Sequence, residues 1–314
     1  MGKGGFSTKE KMMPLFDYLV FPGFLFTVSA GLLAGWIDRK VTARIQWRVG
    51  PPWYQNFVDI VKLLGKEVIV PKGSGGAFLL SPYLGLLSAV LIATILGKNL
   101  FFHSELFRAD LIVLLYLLVI PAIAVILGAS SSRNPLASVG ASREIKLVLS
   151  YELPFILAII AVAIRAKGSI QLAQILSSQA SAGSNIFSWS GFLAFIVVLF
   201  CMQAKLGMNP FDIAEAEQEI MAGTMIEYSG LPLAVFKLTK ASLLYTMPLL
   251  VIFLFLGKDT SPLFIILKFI AILVLIILIK NTNPRLRIDQ ALKFFWGPAT
   301  LLAILSVALA AGGL

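Results

Sequence analysis

Five carboxylates crowd one short stretch of this chain. Residues 209–230 read NPFDIAEAEQEIMAGTMIEYSG and hold Asp212, Glu215, Glu217, Glu219 and Glu227, five of the chain's 16 acidic residues. Asp212, Glu215 and Glu219 follow i, i+3, i+7 spacing, so a helix would align them on one face, with Glu217 pointing elsewhere. Like charges held close where water is scarce raise each other's proton affinity, and carboxylates tuned that way pass protons at physiological pH. The competing reading is a helix start, with Asn209 or Asp212 as the cap and acids in the first turn suiting the dipole. Capping accounts for Asp212 and Glu215 and leaves three acids unexplained.

A second acidic pair stands in NPLASVGASREIKLVLSYELPFILAII, residues 134–160. Glu144 and Glu152 are eight apart, near two helical turns. Glu144 falls on a loop by the hydropathy pattern, and Glu152 lies well inside an apolar run. A carboxylate at membrane depth is expensive and marks a functional site by default. The structural alternative is neutralisation by a base from a neighbouring span, for which Lys237 and Lys240 are the candidates.

Basic residues gather in WIDRKVTARIQWRVGPPWYQNFVDIVKLLGKEVIVPKG. Arg39, Lys40, Arg44 and Arg48 precede a Gly50-Pro51-Pro52 turn. Trp53, Phe57, Ile60, Val61 and Leu64 then recur at helical spacing, with Asn56, Asp59, Lys62 and Lys66 off that stripe, as in a helix lying flat at a membrane interface. The arginines serve either topology and lipid headgroups or the docking of a peripheral subunit through bidentate carboxylate pairs. The same two readings apply to Arg143 and, in NTNPRLRIDQALKFFWG, to Arg285 and Arg287.

The elements that position these groups are membrane helices. The chain is 58% hydrophobic and 13% charged, far from the balance of a soluble domain. Apolar runs of spanning length recur near 15–37, 77–100, 109–129, 145–164, 186–206, 231–256, 262–281 and 292–312. The expected fold is all-α: one integral-membrane domain over residues 1–314, with about eight spans and an amphipathic interfacial helix in the loop over 38–76. No cleavage site ends the first run, so it reads as a retained span. No internal repeat of the kind that builds secondary transporters is visible. The Lys/Arg bias puts the odd-numbered loops, acidic 207–230 among them, in the cytoplasm and both termini outside. The net charge of +10 is spread over those loops, which argues for lipid and topology and against nucleic acid.

With one cysteine, Cys201, and one histidine, His103, the chain lacks the ligands for an iron–sulfur cluster or zinc site, and redox chemistry falls to other subunits. His103 reads as incidental. Asp17 and Lys268, each inside a span, are expected to snorkel or pair.

The blocks DRKVTARIQWRVGP, GASREIKLVLSYE, NPFDIAEAEQEIMAGTMIEYSG and NPRLRIDQALKFFWG, in that order, resemble the membrane subunit beside the quinone chamber of respiratory complex I and its homologues in membrane-bound NiFe hydrogenases. Ala214, where quinone-reducing relatives usually carry proline, leans toward the hydrogenase branch, as do GASRE and DIVKLLGKE. The resemblance implies a plasma-membrane anchor beneath a peripheral arm with a NiFe large subunit and an iron–sulfur small subunit, beside antiporter-like membrane subunits. NiFe and iron–sulfur centres would sit on those partners and none on this chain. Glu144, Glu152 and the acidic cluster would begin a proton or sodium relay. The alternatives are the quinone-site subunit of a complex I-type oxidoreductase, or the same anchor in a sulfur-reducing relative.

Overall fold

A computed structural model of the chain describes residues 16–102, 110–259 and 261–313; His103 lies outside them. Pro22 has no N–H and its ring clashes with the preceding turn, so the first span breaks over residues 20–23. It resumes as α1 (Phe24–Ile45), with the Thr27 hydroxyl bonding the Pro22 carbonyl at 3.1 Å. The expected interfacial helix is α2 (Gln55–Leu64). Asn56 seats it on α1 through the Leu32 carbonyl at 2.9 Å, and Ile60 is buried. Trp53, Val61 and Leu64 form an exposed apolar edge.

Helices α3 (Gly76–Gly97) and α4 (Leu111–Ser131) form an adjacent pair. The fourth span corrects the sequence boundary, since α5 runs over Pro135–Arg165 and Glu144 is helical. Asn134 caps it by accepting from the Leu136 N–H at 2.9 Å, and Pro135 occupies the first turn, where its missing N–H costs nothing. Hydropathy counts only the apolar part of this helix, so its polar first turns looked like loop.

A short helix that hydropathy did not signal, α6 (Leu172–Ala182), precedes α7 (Trp189–Lys205). After the acidic loop and its one-turn α8 (Glu217–Ile220) come α9 (Gly230–Phe255) and α10 (Pro262–Thr282). The last span is α11 (Ile288–Phe294) and α12 (Thr300–Ala311), joined by a widened turn at Pro298. Among the described residues seven helical segments are long and apolar enough to cross a membrane. The expected fifth span is the 17-residue α7, about 26 Å at 1.5 Å per residue. This is a polytopic all-α membrane protein.

Central α9 packs on α1, α2 and α3, while α5 packs on α4, α7 and α12. Between helices in lipid, close packing and hydrogen bonds matter more than apolar burial. Gly31 shows the first: a Cβ there would stand 2.2 Å from the Ala241 carbonyl, so only glycine lets α1 meet α9. Gln203 shows the second, donating to Asn209 and Ile276 carbonyls at 2.9 and 3.1 Å and tying α7 to the acidic loop and α10.

Candidate functional site

The acids of residues 209–230 do not share a helix face. Asp212 and Glu215 precede α8 in irregular backbone, and Ala216, rather than Asn209 or Asp212, stands at the helix N-cap. Met221, Ala222 and Gly223 take left-handed φ values of 51°, 72° and 47°, which ends α8 after one turn. The four acids with described side chains each find a partner outside the loop, two of them on α5 and its N-cap. Asp212 accepts from Arg285 at 2.6 Å, Glu215 pairs with Lys240, and Glu219 accepts from Arg143 at 2.6 Å. Glu227 accepts from the Asn134 amide at 2.5 Å. Glu217 opens α8, and its side chain lies outside the described residues.

Three consecutive turns of α5 clasp this loop. Asn134 holds Glu227, and Arg143 holds Glu219 and also reaches the Ile213 carbonyl at 3.4 Å. Between them, a Cβ on Gly140 would stand 2.8 Å from the Thr224 nitrogen and 3.0 Å from the Ala214 carbonyl, so the loop backbone rests directly on the helix. Tyr228 fixes the far end, stacked on Phe78 at 4.2 Å and donating to its carbonyl at 3.0 Å.

The same helix carries Glu144 and Glu152 into the bundle. The partner of Glu152 is Lys205 of α7, and neither Lys237 nor Lys240 reaches it. The Lys205 side chain is 2% exposed, and its ammonium lies 4.8 and 4.7 Å from the ring centres of Tyr151 and Phe155. Glu144, Lys205, Asp212, Glu215 and Lys240 all line one cavity of about 60 Å³, roomy enough for water. From the loop inward, Glu215, Lys240, Glu144, Lys205 and Glu152 alternate in sign.

Two further cavities meet here. One of about 340 Å³ lies between α1, α2 and α9, lined by apolar Leu32, Ile60 and Leu244 together with Asp38, Lys237 and Lys240. A wider mouth of about 900 Å³ is lined by Asp212, Glu215, Glu219, Lys280 and Arg285. Asp38, buried on α1, accepts from Lys280 of α10 at 2.8 and 3.0 Å, a pair standing between the two spaces.

Asp212 and Tyr228 titrate away from their ordinary ranges. Burial pushes the Asp212 carboxyl up; the bond and charge of Arg285 pull against it, and Glu215 adds to the rise. Burial lifts the Tyr228 phenol to about 12, against a smaller lowering by Ser81.

Of the arginines expected to dock a partner, Arg143 and Arg285 hold the loop from within. Arg39 pairs with Asp59 at 3.3 Å, while Arg44, Arg48 and Arg287 are exposed and Lys40 is half-buried. Asp17 pairs with Lys98 at 3.0 Å, and Lys268 bonds the Leu256 and Asp259 carbonyls at 2.7 and 2.8 Å. Among the described residues no cluster of three His, Cys, Asp or Glu is placed to hold a metal ion. Sequence reasoning missed Lys205, Asp38 and Asn134 as site residues. Lys205 carried one signal, being the single base in the α7 run, and a topology count absorbed it.

Residues 18–311 match the NADH dehydrogenase family. An NADH-quinone oxidoreductase subunit of Geobacillus kaustophilus is 32% identical over 306 residues, covering 90% of this chain and 88% of that protein. The subunit of the same name from Dehalococcoides mccartyi strain ATCC BAA-2266 is 34% identical over 298 residues, covering 90% and 82%. A chain in the solved structure of the membrane-bound sulfane sulfur reductase, an archaeal respiratory membrane complex, superposes with a TM-score of 0.86 at 33% identity, covering 95% of this chain and 99% of that one. The chain therefore belongs to the NADH dehydrogenase family, among the homologues of this complex I membrane subunit.

Proposed function

We propose that this chain anchors a peripheral redox arm in the plasma membrane and couples its reaction to proton or sodium movement, within a complex of the hydrogenase and sulfur-reductase branch. The observation that carries the reading is the line of alternating charge from Glu215 through Lys240, Glu144 and Lys205 to Glu152. An isolated buried charge is prohibitive, whereas alternation keeps each carboxylate compensated while leaving acids at which a proton can stop. The loop above it is clasped to the helix that bears Glu144 and Glu152, so force or charge applied at the loop reaches both. The match to the sulfane sulfur reductase chain over 95% of this one supports the branch. A NiFe large subunit, an iron–sulfur small subunit and antiporter-like neighbours are the partners this reading requires. Exposed Arg44, Arg48 and Arg287 offer the arm its cationic contacts.

The test uses Glu144→Gln and Glu152→Gln in the native complex in sealed vesicles. Each variant should assemble and keep electron transfer but lose ion translocation. Full translocation by both would sink the relay.

The second reading is a lipid-soluble quinone as electron acceptor. The 340 Å³ cavity favours it, since its lining combines apolar Leu32, Ile60 and Leu244 with polar Asp38 and Lys237, which suits a molecule with an oily tail and a carbonyl head. The curated relatives are named as quinone oxidoreductase subunits. Labelling of Leu244 or Ile60 by a photoreactive quinone in the assembled complex would favour this reading.

A further inference from the structure

Lys240 stands where the spaces of the site meet. It lines the 60 Å³ cavity beside Glu144 and Glu215, and it lines the 340 Å³ cavity under α2. Its partner Glu215 lines the small cavity and the wide mouth, and the side cavity lies beyond its reach. The Lys240–Glu215 pair thus closes the junction between the side cavity, the mouth and Glu144.

The two lysines of the line differ in freedom. Lys205 is 2% exposed and held over two rings, whereas the Lys240 side chain is 42% exposed. An ammonium on a flexible four-carbon stem swings between acceptors when it has room. Only Lys240 has that room. Asp212 and Lys205 also face the small cavity, and Asp38, Arg39, Asp59 and Lys237 face the side cavity. Asp38, Asp59 and Asp212 already hold Lys280, Arg39 and Arg285, which leaves Glu144 and Glu215 as the carboxylates between which Lys240 moves.

We infer that Lys240 is a two-position switch between Glu215 and Glu144, deciding which of the two carboxylates is free to exchange a proton. When Glu215 takes a proton from the mouth, its O–H forms and its ion pair with Lys240 breaks. The ammonium then pairs with the Glu144 carboxylate, and a proton held there moves on toward Glu152. Lys240 keeps its own protons throughout, so it acts as a positioning residue. The inference rests on the relay reading above.

A charge swap separates this role from simple pairing. Lys240→Met, Lys240→Arg and the double variant Glu215→Lys with Lys240→Glu are compared in the native complex, by thermal stability, electron transfer and ion translocation in sealed vesicles. Lys240→Arg should keep all three. Lys240→Met should keep electron transfer and lose translocation. The double variant should regain the stability of the pair yet still lose translocation, because it sets a carboxylate against Glu144. Translocation at the wild-type level by the double variant or by Lys240→Met would overturn the switch. Should Lys240→Met fail to assemble, equal translocation by Lys240→Arg and the double variant overturns it as well. Glu144→Gln tells the two ideas apart: if it abolishes translocation while the Lys240 variants do not, the relay stands and the switch falls.

Discussion

The Lys205 ammonium meets the Glu152 carboxylate inside the bundle, roofed by the rings of Tyr151 and Phe155. The lysine side chain is 2% exposed, so bulk water compensates its charge poorly. Removing one member of such a pair costs about 3–5 kcal/mol, whereas replacing both by apolar groups is often neutral. Glu152→Leu should therefore lower the thermal stability of the complex sharply, and adding Lys205→Met should recover most of the loss. Glu152→Gln retains an acceptor for the lysine and should fall between the two. A melting series on the solubilised complex checks the order.

Arg285 is the base bonded to Asp212, and burial of that carboxyl makes the pairing depend on pH. A carboxyl raised above its unfolded value of 3.8 is held protonated more tightly in the fold, so its contribution to stability falls as pH rises from that value through the raised one. Arg285→Gln removes the bond that opposes the rise. The variant should match wild type when Asp212 is protonated and fall behind on the alkaline side, by on the order of 1–3 kcal/mol for a charged group left unpaired. Adding Asp212→Asn should abolish the difference. Unfolding midpoints across the acid range decide the matter.

Gly140 is the point at which the acidic loop rests on α5. The atoms a methyl group would meet are backbone, which cannot rotate away, so Gly140→Ala should lift the loop at a cost of roughly 1–3 kcal/mol. Hydrogen exchange should quicken over residues 209–229, with the core of α9 unchanged. Unaltered protection of the loop would show that the contact is dispensable.

Tyr228 offers a test at the other end of the loop. Its phenol ionises at about 12 in the fold against 10.0 outside it. The unfolded chain gives up the proton first, so stability is lost as pH climbs from 10.0 toward about 12. Tyr228→Phe loses the bond to the Phe78 carbonyl, worth about 1 kcal/mol at neutral pH. Its deficit relative to wild type should shrink across that alkaline window. A constant deficit would mean the phenol is not held as its surroundings imply.

Hydropathy alone located the spans, because a run of some 20 apolar residues in lipid has few options other than a helix. It misplaced the start of α5, since Asn134 and Pro135 begin a helix whose first turns are polar. The acidic cluster was visible as composition, and its geometry was not. Spacing along the chain predicts which residues share a face only if the segment is helical, and here the helix begins at Glu217, after Asp212 and Glu215 have passed in irregular backbone. Partner choice was harder still. Lys205, Lys240 and Arg285 reach their carboxylates across 53, 25 and 73 residues of chain, distances over which local pattern carries no information. Asp38 and Lys280, 242 residues apart, could be matched only by the fold.

The alternation of sign along Glu215, Lys240, Glu144, Lys205 and Glu152 has a bearing on descent. A single replacement that changes charge leaves an odd ion where its neighbours were set to compensate the original one, so a lineage drifts through this line by paired changes or by exchange within one charge type. Arg for Lys or Asp for Glu should accumulate at these positions, while inversions should arrive two at a time on neighbouring elements. The five residues are then inherited as one unit, although they are scattered over the loop and three helices.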